Sequence, residues 1–411
     1  MRLLVVNHFP VFPPNNGGKL RIVSLVEHFS RFFDVTLLCP LGTREVLRSD
    51  SATRTTQLTG GGKELDVAES PFKPALLGPL YLLGYNSVDA LSSNRVSDFS
   101  AFASRVRREL VGSTVVLMEH PFLSRLIRRS LTPRDRKKVI YDAIDVEFAS
   151  ASFQNPRNPV GNMLLSRVAA LERTACSMSD AVFATTDYDK ALLERLYGLA
   201  ERRVVTIPIG LDTSAIVPPT EESKARAKAE FGIPPDSILV TYIASAALHN
   251  TKVLALISRL ASEFAESRNV VFYVGGSVAS HITGAVPQNV VRGSSFTFGD
   301  SRVYNTLQAT DVAISLDLNH KTGTPVKTLE YMAHGLPVMV TQDEARRVGL
   351  TDRVNASVAS VDAMNEKLRE LLENPDLRRR LGKAAREFVV RNHDSAKSAD
   401  KALTAIQGML A

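Results

Sequence analysis

The chain has 411 residues, 44% of them hydrophobic, and a mean hydropathy of −0.02, which predicts two to three domains with well-formed cores and excludes a disordered chain. A formal charge of +7 favours an anionic partner, but with no Trp, no recognition-helix module and no aromatics interleaved with basic residues, nucleic acid is set aside. Cys39 and Cys176 make no metal pattern, and one pair is weak evidence for export, so a cytoplasmic protein is expected.

The first apolar stretch, 2–7, is too short for a signal peptide and leads straight into a turn, so it reads as a strand. A helix over 20–31 and a strand over 35–39 complete a β-α-β unit. The run 74–85, PALLGPLYLLGY, is apolar but only twelve residues long and broken by Pro79. It cannot span a bilayer as a helix, and reads either as part of the first core or as an interfacial loop. Short buried strands follow at 115–118, 139–141 and 181–184, with helical periodicity at 99–111, 164–178 and 187–196. Pro208-Ile209-Gly210 and Pro218-Pro219 interrupt the alternation and place a linker near 208–216. Strands at 238–244, 270–274, 290–292, 312–316 and 337–341 then alternate with helices at 252–264, 301–309, 327–334 and 361–374. The end of the chain, 376–411, is helical and amphipathic. Two mostly parallel, doubly wound α/β domains are predicted.

The segment 323–341, GTPVKTLEYMAHGLPVMVT, carries the most specific chemistry. Gly323 and Thr324 turn the chain and leave backbone N–H groups at a helix N-terminus, where the dipole favours phosphate. Lys327 adds a mobile charge. One helical turn on, Glu330 offers two oxygens to vicinal ribose hydroxyls. The bland alternative is an ordinary helix-glycine-strand unit. The segment resembles the donor-site signature of GT-B glycosyltransferases, in particular the retaining family 4, in which Glu330 matches the ribose-binding carboxylate. The family's usual pattern has a further glutamate eight residues earlier, where this chain has Thr322; Gly323, Lys327 and Glu330 follow a Gly-x-x-x-Lys-x-x-Glu form found in some branches.

The resemblance implies two Rossmann-like domains facing a cleft, an acceptor-binding domain at 1–208 and a donor-binding domain at 209–388, with a C-terminal helix at 389–411 crossing back to the first. Other candidates fall at strand ends. Gly17 and Gly18, between the first strand and first helix, allow close backbone approach, and in the family this place resembles a loop reaching the donor diphosphate; Arg21 is a lesser candidate. Glu119 and His120 follow a first-domain strand, where a histidine positions or deprotonates an acceptor hydroxyl, or is simply a surface residue. Asp142 and Glu147 match acceptor-side positions of a family motif in which Ile144 replaces a histidine. Ser245 and Lys252 loosely match the family's diphosphate contacts.

The resemblance implies a hexosyltransferase-like enzyme that moves a sugar from a nucleotide-sugar donor to a glycan, lipid-linked or small-molecule acceptor, with retention and without a metal or other cofactor. His120, Lys252 and Lys327 are the expected catalytic groups. Gly17, Gly18, Ser245, Gly323, Thr324, Lys327 and Glu330 are expected at the donor, and Glu119, Asp142 and Glu147 at the acceptor. A sugar-nucleotide epimerase and a noncatalytic partner subunit remain alternatives. The basic run Arg125, Arg128, Arg129, Arg134, Arg136, Lys137 and Lys138 reads as solvated helix ends and loops, or as a contact for anionic lipid at the inner face of the membrane.

Overall fold

The computed structural model describes residues 1–41, 53–58, 61–67, 72–91, 100–132, 135–267, 269–284, 286–295, 300–318 and 322–411. Phe99 of the predicted helix and Arg134 of the basic run lie outside them. Two units form: Met1–Pro208 with Lys321–Gly323 and Ala396–Ala411, and Ile209–His320 with Thr324–Ser395.

The first unit is built on eight strands, β1 (Arg2–Val6), β2 (Asp34–Pro40), β3 (Thr53–Gln57), β4 (Lys63–Val67), β5 (Val115–Glu119), β6 (Lys138–Ala143), β7 (Ala181–Ala184) and β8 (Val204–Thr206). Their order is β3-β4-β2-β1-β5-β6-β7-β8, and among the described residues only the β3–β4 pair is antiparallel. The central strands are buried on both faces, which is why they read as unbroken apolar runs: Leu3, Leu4, Val5 and Val6 are all buried. Phe102, Val106 and Leu110 of the helix Ala101–Gly112 pack on the Leu4 and Val6 face. The helix Gly17–Phe29 begins three residues before the predicted start, because the Asn16 side chain accepts from the Lys19 N–H and caps it.

The second unit has six strands, β9 (Ile238–Ile243), β10 (Val270–Gly275), β11 (Val290–Arg292), β12 (Val312–Ser315), β13 (Val338–Thr341) and β14 (Ser357–Ala359), in the order β11-β10-β9-β12-β13-β14 and parallel throughout. Val240, Tyr242, Phe272 and Ile314 face Ile257 and Leu260 on one side, while Ala313, Val338 and Val340 meet Leu329, Met332 and Ala385 on the other.

The C-terminal stretch, expected as one helical segment, is two helices, Pro375–Asn392 and Ser395–Leu410. The break is held by backbone bonds: the Leu211 N–H donates to the His393 carbonyl at 2.8 Å and the Ser395 N–H to the Leu211 carbonyl at 2.9 Å. Gly210 makes this approach feasible, since a Cβ there would lie 2.4 Å from the Ser395 Cα. The apolar run 74–85 divides. Its first part lies in the helix Phe72–Leu82, whose Leu77 is buried with Tyr85, Val88 and Leu164, whereas Leu82 and Leu83 are exposed. Among the described residues no helix is long and apolar enough to cross a membrane.

Candidate functional site

Each sheet has one place where the strand order reverses, the point at which connections depart in opposite directions and open a crevice at the carboxyl ends. In the second unit that place lies between β9 and β12. Ser245 follows β9, and the chain after β12 leads to the helix Val326–Ala333. Two side chains fix this helix to the strand ends. The Ile243 N–H donates to the Tyr331 hydroxyl at 2.9 Å while that hydroxyl donates to the Ile243 carbonyl at 3.2 Å. Thr328 Oγ1 donates to Ser315 Oγ at 2.8 Å and also reaches the buried carboxylate of Glu344.

Lys327 and Glu330, one turn apart, are both half-buried. The Lys327 ammonium stands 5.0 Å from the centroid of the Tyr242 ring. Burial pulls its pKa down, against the carboxylates of Glu344 and Asp317, and Arg347 adds to the lowering. Arg347 pairs with Asp317. Glu330 has no hydrogen-bond or ion-pair partner for its carboxylate among the described residues, and burial alone pushes it up to about 7. Thr324 Oγ1 is buried without a hydrogen-bond partner, and the helix start that follows has no side-chain cap. An acceptor carboxylate, a cation and an orphan hydroxyl at an uncapped helix N-terminus suit a ligand with vicinal hydroxyls and phosphate.

The other donor-side candidates divide. Ser245 is exposed, and its carbonyl and hydroxyl accept from Asn250 Nδ2 at 3.0 and 3.1 Å. Lys252 is exposed between the helices Leu248–Thr251 and Leu254–Glu263. Gly323 has φ 78°, as a tight turn requires, but its N–H is not left for phosphate; it points at both oxygens of Asp189, 3.2 Å from each. Gly17 and Gly18 open the helix Gly17–Phe29, and a Cβ on Gly18 would meet nothing closer than 3.6 Å, so its close-approach role is not imposed by the protein's own packing.

In the first unit the order reverses between β1 and β5. Glu119 ends β5 and is in register with Asp142 on β6, which sets both carboxyls on one face. Both are fully buried. Asp142 accepts from Arg21 Nε and Nη2, each at 2.8 Å, and Arg21 Nη1 donates to the carbonyls of Ile207 and Pro208 at 2.7 and 3.1 Å. Asp142 and Arg21 are therefore a bidentate pair at the strand ends, so both acceptor oxygens of Asp142 are already engaged within the fold. Burial, then the charge of Asp142, pushes Glu119 well above the usual carboxyl range, against the charge of Arg21. Glu119, too, is internal.

His120 comes next and has φ 60°, a left-handed backbone that is uncommon for a non-glycine residue and concentrates at functional positions. Its Nδ1 lies 2.5 Å from Glu147 Oε1, while Nε2 is buried without a hydrogen-bond partner. Burial lowers the imidazolium pKa, but the Glu147 bond and charge, with Asp145 and Asp142 behind, outweigh it and raise the pKa overall. The His8 ring packs edge-on at 5.0 Å. This buried His–Glu pair can hold or move a proton.

Residues 257–404 match a family model described as glycosyl transferase-like. No curated protein matches the chain. The fold is similar over the whole length to sucrose-phosphate synthase from Thermosynechococcus elongatus (TM-score 0.72, 13% identity, covering 100% of this chain and 99% of that one). It is similar also to HepE from Anabaena in complex with UDP and glucose (0.71, 10%, 99% and 100%) and to a UDP-forming trehalose-phosphate synthase from Burkholderia xenovorans (0.67, 13%, 100% and 99%). The chain has a GT-B fold, and only its residues 257–404 match the glycosyl transferase-like model.

Glu344, Asp317 and Arg347 of this GT-B chain, which surround Lys327 electrostatically, escaped the sequence reading. So did the pairing of His120 with Glu147, which were assigned separately to catalysis and acceptor binding. The one local signal for Glu344 is that it stands three residues after Thr341, whose hydroxyl accepts its N–H at 3.3 Å in a helix-capping pattern.

Proposed function

We propose that this protein is a retaining glycosyltransferase that transfers a sugar from a nucleoside-diphosphate donor to an acceptor hydroxyl without a metal. The observation that carries the reading is the placement of Lys327 and the unpartnered Glu330 at the strand-order reversal of the second unit, beside the orphan hydroxyl of Thr324. Glu330 accepts from the ribose hydroxyls. Lys327 and the helix N-terminus stabilise the charge that develops on the diphosphate as its bond to the anomeric carbon breaks. A new bond from the acceptor oxygen forms at that carbon, and the acceptor proton passes to the departing diphosphate oxygen. Retention and metal independence rest on the family 4 resemblance. A glycan, lipid-linked or small-molecule acceptor fits the reading equally.

The structural relatives that contain or form UDP make uridine donors the first to try. The full chain is incubated with a panel of uridine, guanosine and adenosine diphosphate sugars, and thermal stabilisation is read first. A donor at about 100 times its dissociation constant adds about 2.7 kcal/mol to stability. Release of nucleoside diphosphate with and without an acceptor, and the anomeric configuration of the product by NMR, complete the test. No stabilisation and no release across the panel would refute the proposal.

A further inference from the structure

Several exposed apolar residues of the first unit are gathered by specific hydrogen bonds. The Tyr85 hydroxyl accepts from Asn158 Nδ2 at 2.8 Å, Asn86 Nδ2 donates to the Gln154 carbonyl at 3.0 Å, and the Asn86 N–H donates to Asn155 Oδ1 at 3.1 Å. Beneath them Leu77 and Tyr85 pack on Leu164. The tip at 81–84 is thereby fastened alongside the turn between the helices Glu147–Gln154 and Pro159–Met178. Leu82 is 91% exposed and Leu83 69%, with Tyr81 beside them, and the turn adds exposed Phe153, Val160 and Met163. One rim thus carries six large apolar side chains that the fold leaves in water.

The charge of the same two segments is mainly basic, with Asp89 just beyond the first of them. Residues 70–88 and 148–171 contain Lys73, Arg157 and Arg167 and not one Asp or Glu. Arg157 and Arg167 are exposed. Apolar side chains at a projecting tip, rather than in a groove, with the guanidinium groups of Arg157 and Arg167 beside them, match the interface of an anionic bilayer: the apolar tip enters the acyl boundary while the arginines meet lipid phosphates, and the carboxylate of Asp89 is engaged by the Tyr81 hydroxyl at 2.7 Å. A groove-binding helix or strand would need a concave apolar seat instead.

We propose that the tip at 81–84 and the start of the helix Pro159–Met178 form a docking surface for an anionic lipid bilayer. The surface is independent of the donor reading above, and it replaces the basic run 125–138 of the sequence reading with Arg157 and Arg167 as the charged partners of the apolar tip.

The test is co-sedimentation of the full chain with vesicles of pure phosphatidylcholine or of phosphatidylcholine with about a third phosphatidylglycerol, at low and high salt, in the absence of any nucleotide. Wild type is expected in the pellet with anionic vesicles at low salt and largely in the supernatant with neutral ones. Leu82→Ser/Leu83→Ser and Arg157→Gln/Arg167→Gln should each reduce partitioning about tenfold or more, from losing the apolar anchor or about 1 kcal/mol per basic residue. All four side chains are exposed, and circular dichroism confirms that the variants fold. The proposal is overturned if wild type stays in the supernatant, if partitioning ignores lipid charge, or if neither variant changes it. It is equally overturned if wild type is a dimer without lipid that the leucine variant converts to a monomer, since a second copy then covers the tip.

Discussion

His120 Nδ1 lies 2.5 Å from Glu147 Oε1, on a backbone held at φ 60°. The net effect of burial against the neighbouring carboxylates is a raised imidazolium pKa. A histidine whose folded pKa exceeds its unfolded value of about 6.5 stabilises the fold fully below that value, and the contribution disappears as pH rises through the folded pKa. The difference in stability between wild type and Glu147→Gln should therefore be larger at acid than at alkaline pH, by about 1.5 to 3 kcal/mol for a charged hydrogen bond. Urea titrations at several pH values measure it; a pH-independent difference would mean that the pair is not ionic.

Glu330 is held near 7 by burial alone, which costs stability above that pH because the unfolded carboxyl ionises near 4.5. Glu330→Gln should raise the melting temperature at pH 8 and yet weaken donor binding by about 1.5 to 3 kcal/mol. Donor binding by wild type should also weaken as pH falls through about 7. Unchanged donor affinity in the folded variant removes Glu330 from the site.

Lys327 is half-buried among Glu344, Asp317 and Arg347, whereas Lys252 is exposed. Lys327→Ala should weaken nucleoside diphosphate by about 1.5 to 3 kcal/mol and leave the nucleoside alone nearly unaffected. Lys252→Ala should cost less than about 1 kcal/mol, and the loss should vanish at high salt. Calorimetric titration of both ligands separates charge from shape: equal losses for nucleoside and diphosphate would show pocket damage.

Removing Arg21 leaves Asp142 as a buried, uncompensated charge next to buried Glu119. Arg21→Met should destabilise the chain by about 3 to 5 kcal/mol, and adding Asp142→Leu should restore much of the loss. Urea midpoints of the single and double variants test this. Equal instability in both would indicate that the carbonyls of Ile207 and Pro208, left without their Arg21 donor, dominate.

Local periodicity made the strand and helix succession legible: β7, β11 and the helix Ser301–Ala309 fall where their patterns predict, because a strand buried on both faces is a continuous apolar run and an amphipathic helix repeats every 3.6 residues. The one-turn spacing of Lys327 and Glu330 likewise put both on one helix before any packing was known. β4 was not legible, since its sequence KELDV carries Glu64 and Asp66 into the interior, where they meet Cys39 with ligand-type atoms within 4.8 Å of one another. Both cysteines are free and buried.

What the sequence by itself determined was which stretches are buried, and hence the two mostly parallel sheets and the strand ends that offer sites. Only the tertiary structure decided which charges meet. Arg21 and Asp142 are 121 positions apart and His120 and Glu147 27, and each pairing depends on the alignment of strands and loops in space. A hydrophobic pattern records a residue's exposure, whereas the partner of a buried charge is set by strand order and register, which that pattern does not encode.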